Sequence, residues 1–300
     1  MLAKRSVDTS GIISAAVYRG CIDLPQELID CIMDMLHDDL PTLKACSLTC
    51  RSMFASTRHL IHRTLYLKLK NALGVSPLHE GSTDRSLPLN EELLRYLSFM
   101  DEHDLLQFVR RVYILVPDVF VPEILQPYRH HFQSLNRVQI LTIEHLDASA
   151  RTFTRYKTCF VHFYPTLTSL ALRSPSHHYR LLVKFILQFP NLENLSLERI
   201  AMPGVPDSTD PIVVDQPPPF CGHLWLVDCE TVAPWLMTFV REVPSGMNFR
   251  SVDLRASFWE DSQHILDPCS CTLEYLTLGP HPPDGTCPLS SLQLIWWIIG

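Results

Sequence analysis

The sequence predicts an α/β fold in two parts: a three-helix module at residues 22–63, then a solenoid of parallel strands over 64–300. Two observations carry that prediction. Between Leu24 and Leu36 apolar residues recur every four positions, the spacing of one face of a helix. From about residue 64 the pattern becomes apolar-x-x-apolar-x-apolar, and it returns seven times at intervals of 24 to 32 residues.

The helical module comes first. Leu24, Leu28, Ile32 and Leu36 form one stripe. Pro25 suits a first helical turn, where its missing N–H costs nothing, and Glu27 suits the positive end of the helix dipole. The segment "HDDLP" should end this helix, because the residue before Pro41 is pushed out of helical geometry. Leu43, Cys46 and Leu48 then belong to a second short helix, and Arg51–Thr57 to a third. A unit of about 40 residues encloses too little core to be stable without help. Residues 1–21 are expected to be a flexible lead-in.

The repeat follows. Its copies are "VRRVYI" from Val109, "LNRVQI" from Leu135, "LTSLAL" from Leu167 and "LENLSL" from Leu192. They continue with "GHLWL" from Gly222, "FRSVDL" from Phe249 and "LEYLTL" from Leu273. The second apolar residues are Val112, Val138, Leu170, Leu195, Leu224, Val252 and Leu276, spaced by 26, 32, 25, 29, 28 and 24 residues. That matches the leucine-rich period of about 20–29 residues, with one unit stretched and the fifth lacking its first apolar residue. Alternating apolar residues make a short strand with one buried face, and the segment between strands returns across the back. Helical returns are expected at Glu123–His131, Ala148–Phe163, Arg180–Phe189 and Trp235–Val243, and an irregular proline-rich loop at 203–219.

Composition removes whole classes of function. With 46% hydrophobic and 19% charged residues the chain can bury a sizeable core. A net charge of −7 argues against nucleic-acid binding. Neither GxxxxGK[ST] nor GxGxxG occurs, so no phosphate loop for a nucleotide cofactor is expected. The apolar end "LSSLQLIWWIIG" is too short to span a bilayer, for which about 20 residues are needed. No secretory signal precedes the ten cysteines, so an intracellular, cytoplasmic or nuclear, reduced chain is expected.

Neither metal nor catalytic chemistry is expected. Cys46 and Cys50 lie one turn apart without a second pair at zinc spacing, and Cys221, His223 and Cys229 fall around a single strand. Fourteen histidines make chance Cys/His pairing easy, and His130-His131 read as surface positions on a helix. Asp38-Asp39 read as a solvated helix end.

The stretch "LPQELIDCIMDMLHDDLPTLKACSLTCRSMF" from Leu24 to Phe54 resembles the F-box. That family's pattern opens Leu-Pro-x-Glu-Leu-x-x-x-Ile, met here by Leu24, Pro25, Glu27, Leu28 and Ile32. Its later part is met by Leu43, Leu48, Cys50 and Arg51, with Met53 where the family has Trp. Fungal F-box proteins run from such a segment into a first strand in the way "RHLIHRTLYL" does here, and leucine-rich repeats commonly follow.

The resemblance implies a non-enzymatic substrate receptor with no cofactor. The F-box would dock a Skp-type adaptor, and through it a cullin–RING ubiquitin ligase, by Leu24, Pro25, Leu28, Ile32, Leu36, Leu43, Leu48 and Met53. The repeats would hold a target protein. The alternative is an F-box and leucine-rich-repeat scaffold working outside a ligase. Residues alternating with the buried ones nominate Arg111, Tyr113, Arg137, Arg173, Trp225, Arg255 and Tyr275 for target binding. Arg111, Arg137 and Arg173, from consecutive strands, are expected to form one basic strip unless Glu144 or Glu198 neutralises it.

Overall fold

The computed structural model describes residues 24–69, 90–116, 128–146, 158–175, 179–200, 220–229, 248–255, 266–267 and 269–279. The segment 1–21, the loop 203–219, the return Trp235–Val243 and the apolar C-terminal stretch lie outside them. The chain divides into two compact units, one ending at Ile61 and the other beginning at His62.

The first unit is three helices, α1 (Gln26–Met35), α2 (Leu40–Ser47) and α3 (Arg51–Ile61). Pro25 precedes α1 and its carbonyl takes the first helical N–H groups, from Leu28 and Ile29. Pro41 serves differently from the expectation. It sits in the first turn of α2, where its missing N–H is harmless, while Asp39 caps that helix by accepting from Thr42 N at 3.1 Å. The core is small: Ile29, Met33, Leu43 and Leu60, with Leu36, Cys46, Met53 and Ile61 packed against it. A polar clamp joins α1 to α3. Ser56 Oγ donates to Asp30 Oδ1 at 2.6 Å, and Gln26 Nε2 donates to Ser56 Oγ at 2.6 Å.

The second unit is built on an eight-stranded, all-parallel sheet. Its strands are β1 (Thr64–Lys68), β2 (Arg111–Leu115), β3 (Ile140–Glu144) and β4 (Ser169–Arg173). They continue with β5 (Asn194–Glu198), β6 (His223–Val227), β7 (Ser251–Arg255) and β8 (Tyr275–Leu278). Spatial order follows chain order from β1 to β8. Parallel neighbours need a crossover, so helices return between strands: α4 (Asn90–Glu102), α5 (Arg129–Ser134) and α6 (Tyr179–Ile186) among the described residues. This is an α/β fold, and the strand order is compatible with a solenoid-like arrangement.

Register corrects one unit of the sequence reading. Leu65, Val112, Leu141, Leu170, Leu195, Leu224, Val252 and Leu276 lie side by side, so the second apolar residue of the β3 unit is Leu141 and not Val138. The motif there is "VQILTI", three residues later than assigned. Leu141 now falls 29 residues from both Val112 and Leu170, and the apparently stretched unit disappears. Leu170, Leu172, Leu195, Leu197, Val252 and Leu254 are buried as expected, while Leu276 is half-buried and the Leu278 side chain lies outside the description.

Aromatic rings fill the space behind the middle strands. Phe132, Phe160, Phe163, Phe185 and Phe189 are buried, with centroids of successive partners 5.3 to 6.2 Å apart. His131 is also buried and faces Asp101 of α4 at 3.6 Å, so it is not the surface residue that the sequence suggested.

The strand ends repeat one device. His145, Ser174, Arg199 and Asp228 directly follow β3, β4, β5 and β6, and each has a positive φ between 47° and 61°. Each donates its N–H to the last carbonyl of the next strand, at 2.7 to 3.1 Å. A left-handed non-glycine residue is uncommon, so four in equivalent places mark a bend built into the β3 to β6 units.

Candidate functional site

Two surfaces offer side chains to a partner. The first is the outer face of α1. Ile29, Met33 and Leu36 recur at helical spacing and turn inward, while Leu24, Leu28, Ile32 and Met35 recur on the other side and stay exposed. Leu28 is 51% exposed and Ile32 45%. Leu40, Leu48 and Phe54 of the same unit are exposed too. Leu24, Leu28, Ile32 and Met35 follow one another at three- and four-residue spacing, so they leave one apolar face of the helix uncovered.

Three nominated docking residues are less accessible than the others. Leu43 is 1% exposed and belongs to the core of its unit. Leu36 and Met53 are half-buried and packed on that same core, where Thr49 Oγ1 approaches Met53 Sδ at 2.9 Å. The physical reason is position: these three face the small interior between the helices, which has room for few side chains. Met35 and Phe54, which the pattern did not nominate, are exposed instead.

The second surface is the outer face of the sheet, arranged in three rows. The middle row holds Tyr66, Tyr113, Thr142, Ala171, Ser196, Trp225, Asp253 and Thr277. Several charged or polar groups here are already paired. Tyr113 Oη donates to Glu144 Oε2, and the same carboxylate lies 3.8 Å from both Arg199 and His145. Burial, then the Glu144 hydrogen bond and charge, push the Tyr113 hydroxyl up. Arg173 Nε lies 2.9 Å from Glu198 Oε2, and Arg255 grips its strand neighbour Asp253 through two hydrogen bonds of 3.2 and 3.0 Å.

The expected basic strip is therefore not formed. Arg111 begins β2, Arg173 ends β4 and is neutralised there, and Arg137 precedes β3 by three residues because of the register correction. Trp225 is half-buried with the His223 ring tilted against it at 5.1 Å, and Tyr275 is exposed. Tyr66 was missed. It is 70% exposed and lies 5.8 Å from Tyr113, and extending the repeat back to "HRTLYL" would have found it.

Among the described residues no three His, Cys, Asp or Glu side chains group as metal ligands would. His223 lies on the outer face while Cys229 is buried, its Sγ 3.4 Å from the Leu197 carbonyl oxygen. Burial pushes the Cys229 and Cys269 thiols up to about 11, so both stay protonated near neutrality. Among the described residues no helix is long and apolar enough to cross a membrane. Compared with known proteins, the chain matches no family model and no curated protein.

Proposed function

We propose that the chain is the substrate-recognition subunit of a Skp–cullin–F-box ubiquitin ligase, with an F-box at α1–α3 and leucine-rich-repeat-like units behind it. The observation that carries this reading is the uncovered stripe on α1. Leu24, just before α1, and Leu28 and Ile32 within it fall at the apolar Leu, Leu and Ile positions of the F-box pattern, and all three lie outside the core of their unit. The repeat supports the second half. Cys229 sits where the leucine-rich pattern takes Asn or Cys, five residues after Leu224, and its thiol reaches a carbonyl of the preceding strand. Such a receptor needs no catalytic group or cofactor of its own. It holds a target on the sheet face and presents it to an enzyme bound elsewhere in the complex.

Leu28→Asp and Ile32→Asp test the docking half. A carboxylate forced into an apolar contact costs about 3 kcal/mol or more, which is roughly a hundredfold or greater loss of affinity. Both side chains are already about half exposed, so thermal unfolding of the variants should be unchanged. The measurement is pulldown of a purified Skp-type adaptor by the full chain. Normal binding by both variants would remove the F-box reading. The scaffold alternative draws on Met53, whose half-buried thioether replaces the rigid Trp of the family. Co-purification of a cullin with the adaptor separates the two.

A further inference from the structure

A third surface lies on α4, outside both the F-box segment and the sheet face. The inner side of this helix is committed: Leu97 and Met100 are buried, and Leu93 and Leu94 pack against the same core. Tyr96 and Phe99 are 45% and 49% exposed, two of the five large hydrophobic side chains that the strand unit leaves uncovered among the described residues. His103, directly after the helix, lays its ring against Phe99 at 4.3 Å. A cleft of about 360 Å³ runs along the helix, lined among the described residues by Glu91, Leu94, Arg95, Ser98, Phe99 and Glu102. Positions 91, 95, 98 and 102 form one stripe at helical spacing, with Leu94 on one flank and Phe99 on the other.

The charge on this helix is one-sided. From Asn90 to Glu102 it holds four carboxylates, Glu91, Glu92, Asp101 and Glu102, against Arg95 alone. The first two suit a first turn, where the helix dipole favours negative charge. The last two stand in the final turn, where the dipole opposes them and no basic residue accompanies them. Asp101 faces α5, with His131 at 3.6 Å and His130 at 4.0 Å. Glu102 is exposed, and among the described residues no cation pairs with it. Arg95 reaches back to Glu91 at 3.4 Å and not forward to Glu102. Glu91 and Glu102 stand about 16 Å apart along the axis, with Leu94 and Phe99 between them.

We propose that this cleft docks a basic amphipathic helix of a partner protein. Its apolar side chains lie against Leu94 and Phe99, and its lysines or arginines meet Glu91 and Glu102. Charge chooses the occupant. Two carboxylates at the ends of an apolar strip complement two cations about 16 Å apart, the separation that a helix laid along α4 presents over three turns. The same carboxylates repel phosphate groups, so neither a nucleic acid nor an anionic membrane surface fits. The partner side chain against Phe99 is the anchor, since a half-exposed aromatic ring gains most from being covered. The site goes beyond the receptor role and does not depend on it, because α4 belongs to neither surface assigned to that role.

The test is fluorescence polarisation with the full-length protein. The probes are labelled peptides of about 15 residues, long enough to span the cleft as a helix. One carries leucines along one face and lysines near both ends. The second has glutamates in place of the lysines, and the third has serines in place of the leucines. The lysine–leucine peptide should bind at least about tenfold more tightly than either of the others, and its margin over the glutamate peptide should narrow with added salt. Glu91→Gln with Glu102→Gln should remove most of that margin, and Phe99→Ser should remove the margin over the serine peptide. Arg95→Ala should instead tighten binding about twofold, because a repelling charge leaves and Glu91 is released. A general loss of structure cannot produce that gain. Equal binding of the three peptides, unchanged binding by the Gln double variant, or weaker binding by Arg95→Ala would overturn the proposal. So would tighter binding of phosphatidylserine vesicles than of the lysine–leucine peptide. Phe99 is half exposed, so urea unfolding of Phe99→Ser should match the unmodified chain; should it not, the Gln pair and Arg95→Ala decide.

Discussion

Among the described residues of the strand unit, 43 apolar ones are buried in one continuous core and five large hydrophobic side chains are exposed: Tyr66, Tyr96, Phe99, Val161 and Tyr275. In the helical unit the proportions reverse. Among its described residues four apolar ones are buried, and seven large ones are exposed: Leu24, Leu28, Ile32, Met35, Leu40, Leu48 and Phe54. The strand unit can keep stacking rows, so each new strand finds a neighbour to cover it. Three short helices cannot, because surface grows faster than interior as a domain shrinks. Apolar side chains on the small unit are therefore available for recognition, and most of those on the large one are committed to stability.

The largest expected effect tests that division directly. Leu170→Ala should destabilise the protein by about 2–5 kcal/mol, the range for a leucine cut out of a filled core. Leu28→Ala should cost less than about 0.5 kcal/mol, as for a surface change. Urea unfolding of both variants settles it, and comparable losses would show that α1 buries its outer face after all.

Gly222→Ala comes next. A Cβ there would lie 2.8 Å from the Glu193 carbonyl oxygen and 2.8 Å from Asn194 Oδ1, and the backbone atom cannot step aside cheaply. The expected cost is about 1–3 kcal/mol, as for overpacking, read from the same unfolding curves. A neutral substitution would mean that β5 and β6 approach less closely than the register indicates.

The smallest effect concerns acid. Hydrogen bonds from Ser56 and then Gln26 hold the Asp30 carboxyl below the usual range, and Thr42 does the same for Asp39. A carboxyl depressed in the folded state adds stability above its unfolded pKa of about 3.9, and that contribution is lost as pH falls through the folded value. Acidification below about pH 4 should thus weaken the helical unit first, and by little, since both carboxylates are at the surface. Circular dichroism melts of Asp30→Asn with Asp39→Asn should show a smaller acid shift than the unmodified chain. An unchanged shift would place the acid sensitivity elsewhere.

Most of the fold was legible because its two periods differ. Four-residue spacing between Leu24 and Leu36 and the recurring strand motif cannot be mistaken for each other. The β3 unit was misread because "LNRVQILTI" contains the motif twice, from Leu135 and from Val138. Local pattern cannot choose between the two, and an offset of three exchanges the faces of a strand. Hydrogen bonding to Arg110 decides it, and that error alone misplaced Arg137. Helix α4 was overlooked although Leu93, Leu97 and Met100 carry helical spacing behind Glu91 and Glu92. The α1 surface was the more legible site, since exposure there follows from shortage of interior. Pairing on the sheet face was not, because whether Arg173 meets Glu198 or a partner depends on which residues share a row.

The unbroken strand order has a consequence for how the chain comes to exist. Every pairing in the ladder joins strands that are consecutive in the chain. No strand waits for a distant segment to arrive, and the entropic cost of closing each connection grows only with the logarithm of its length. As the ribosome delivers the chain from its N-terminus, β2 can settle on β1, and each later strand on an edge already waiting for it. The topology thus allows assembly to run in the same direction as synthesis.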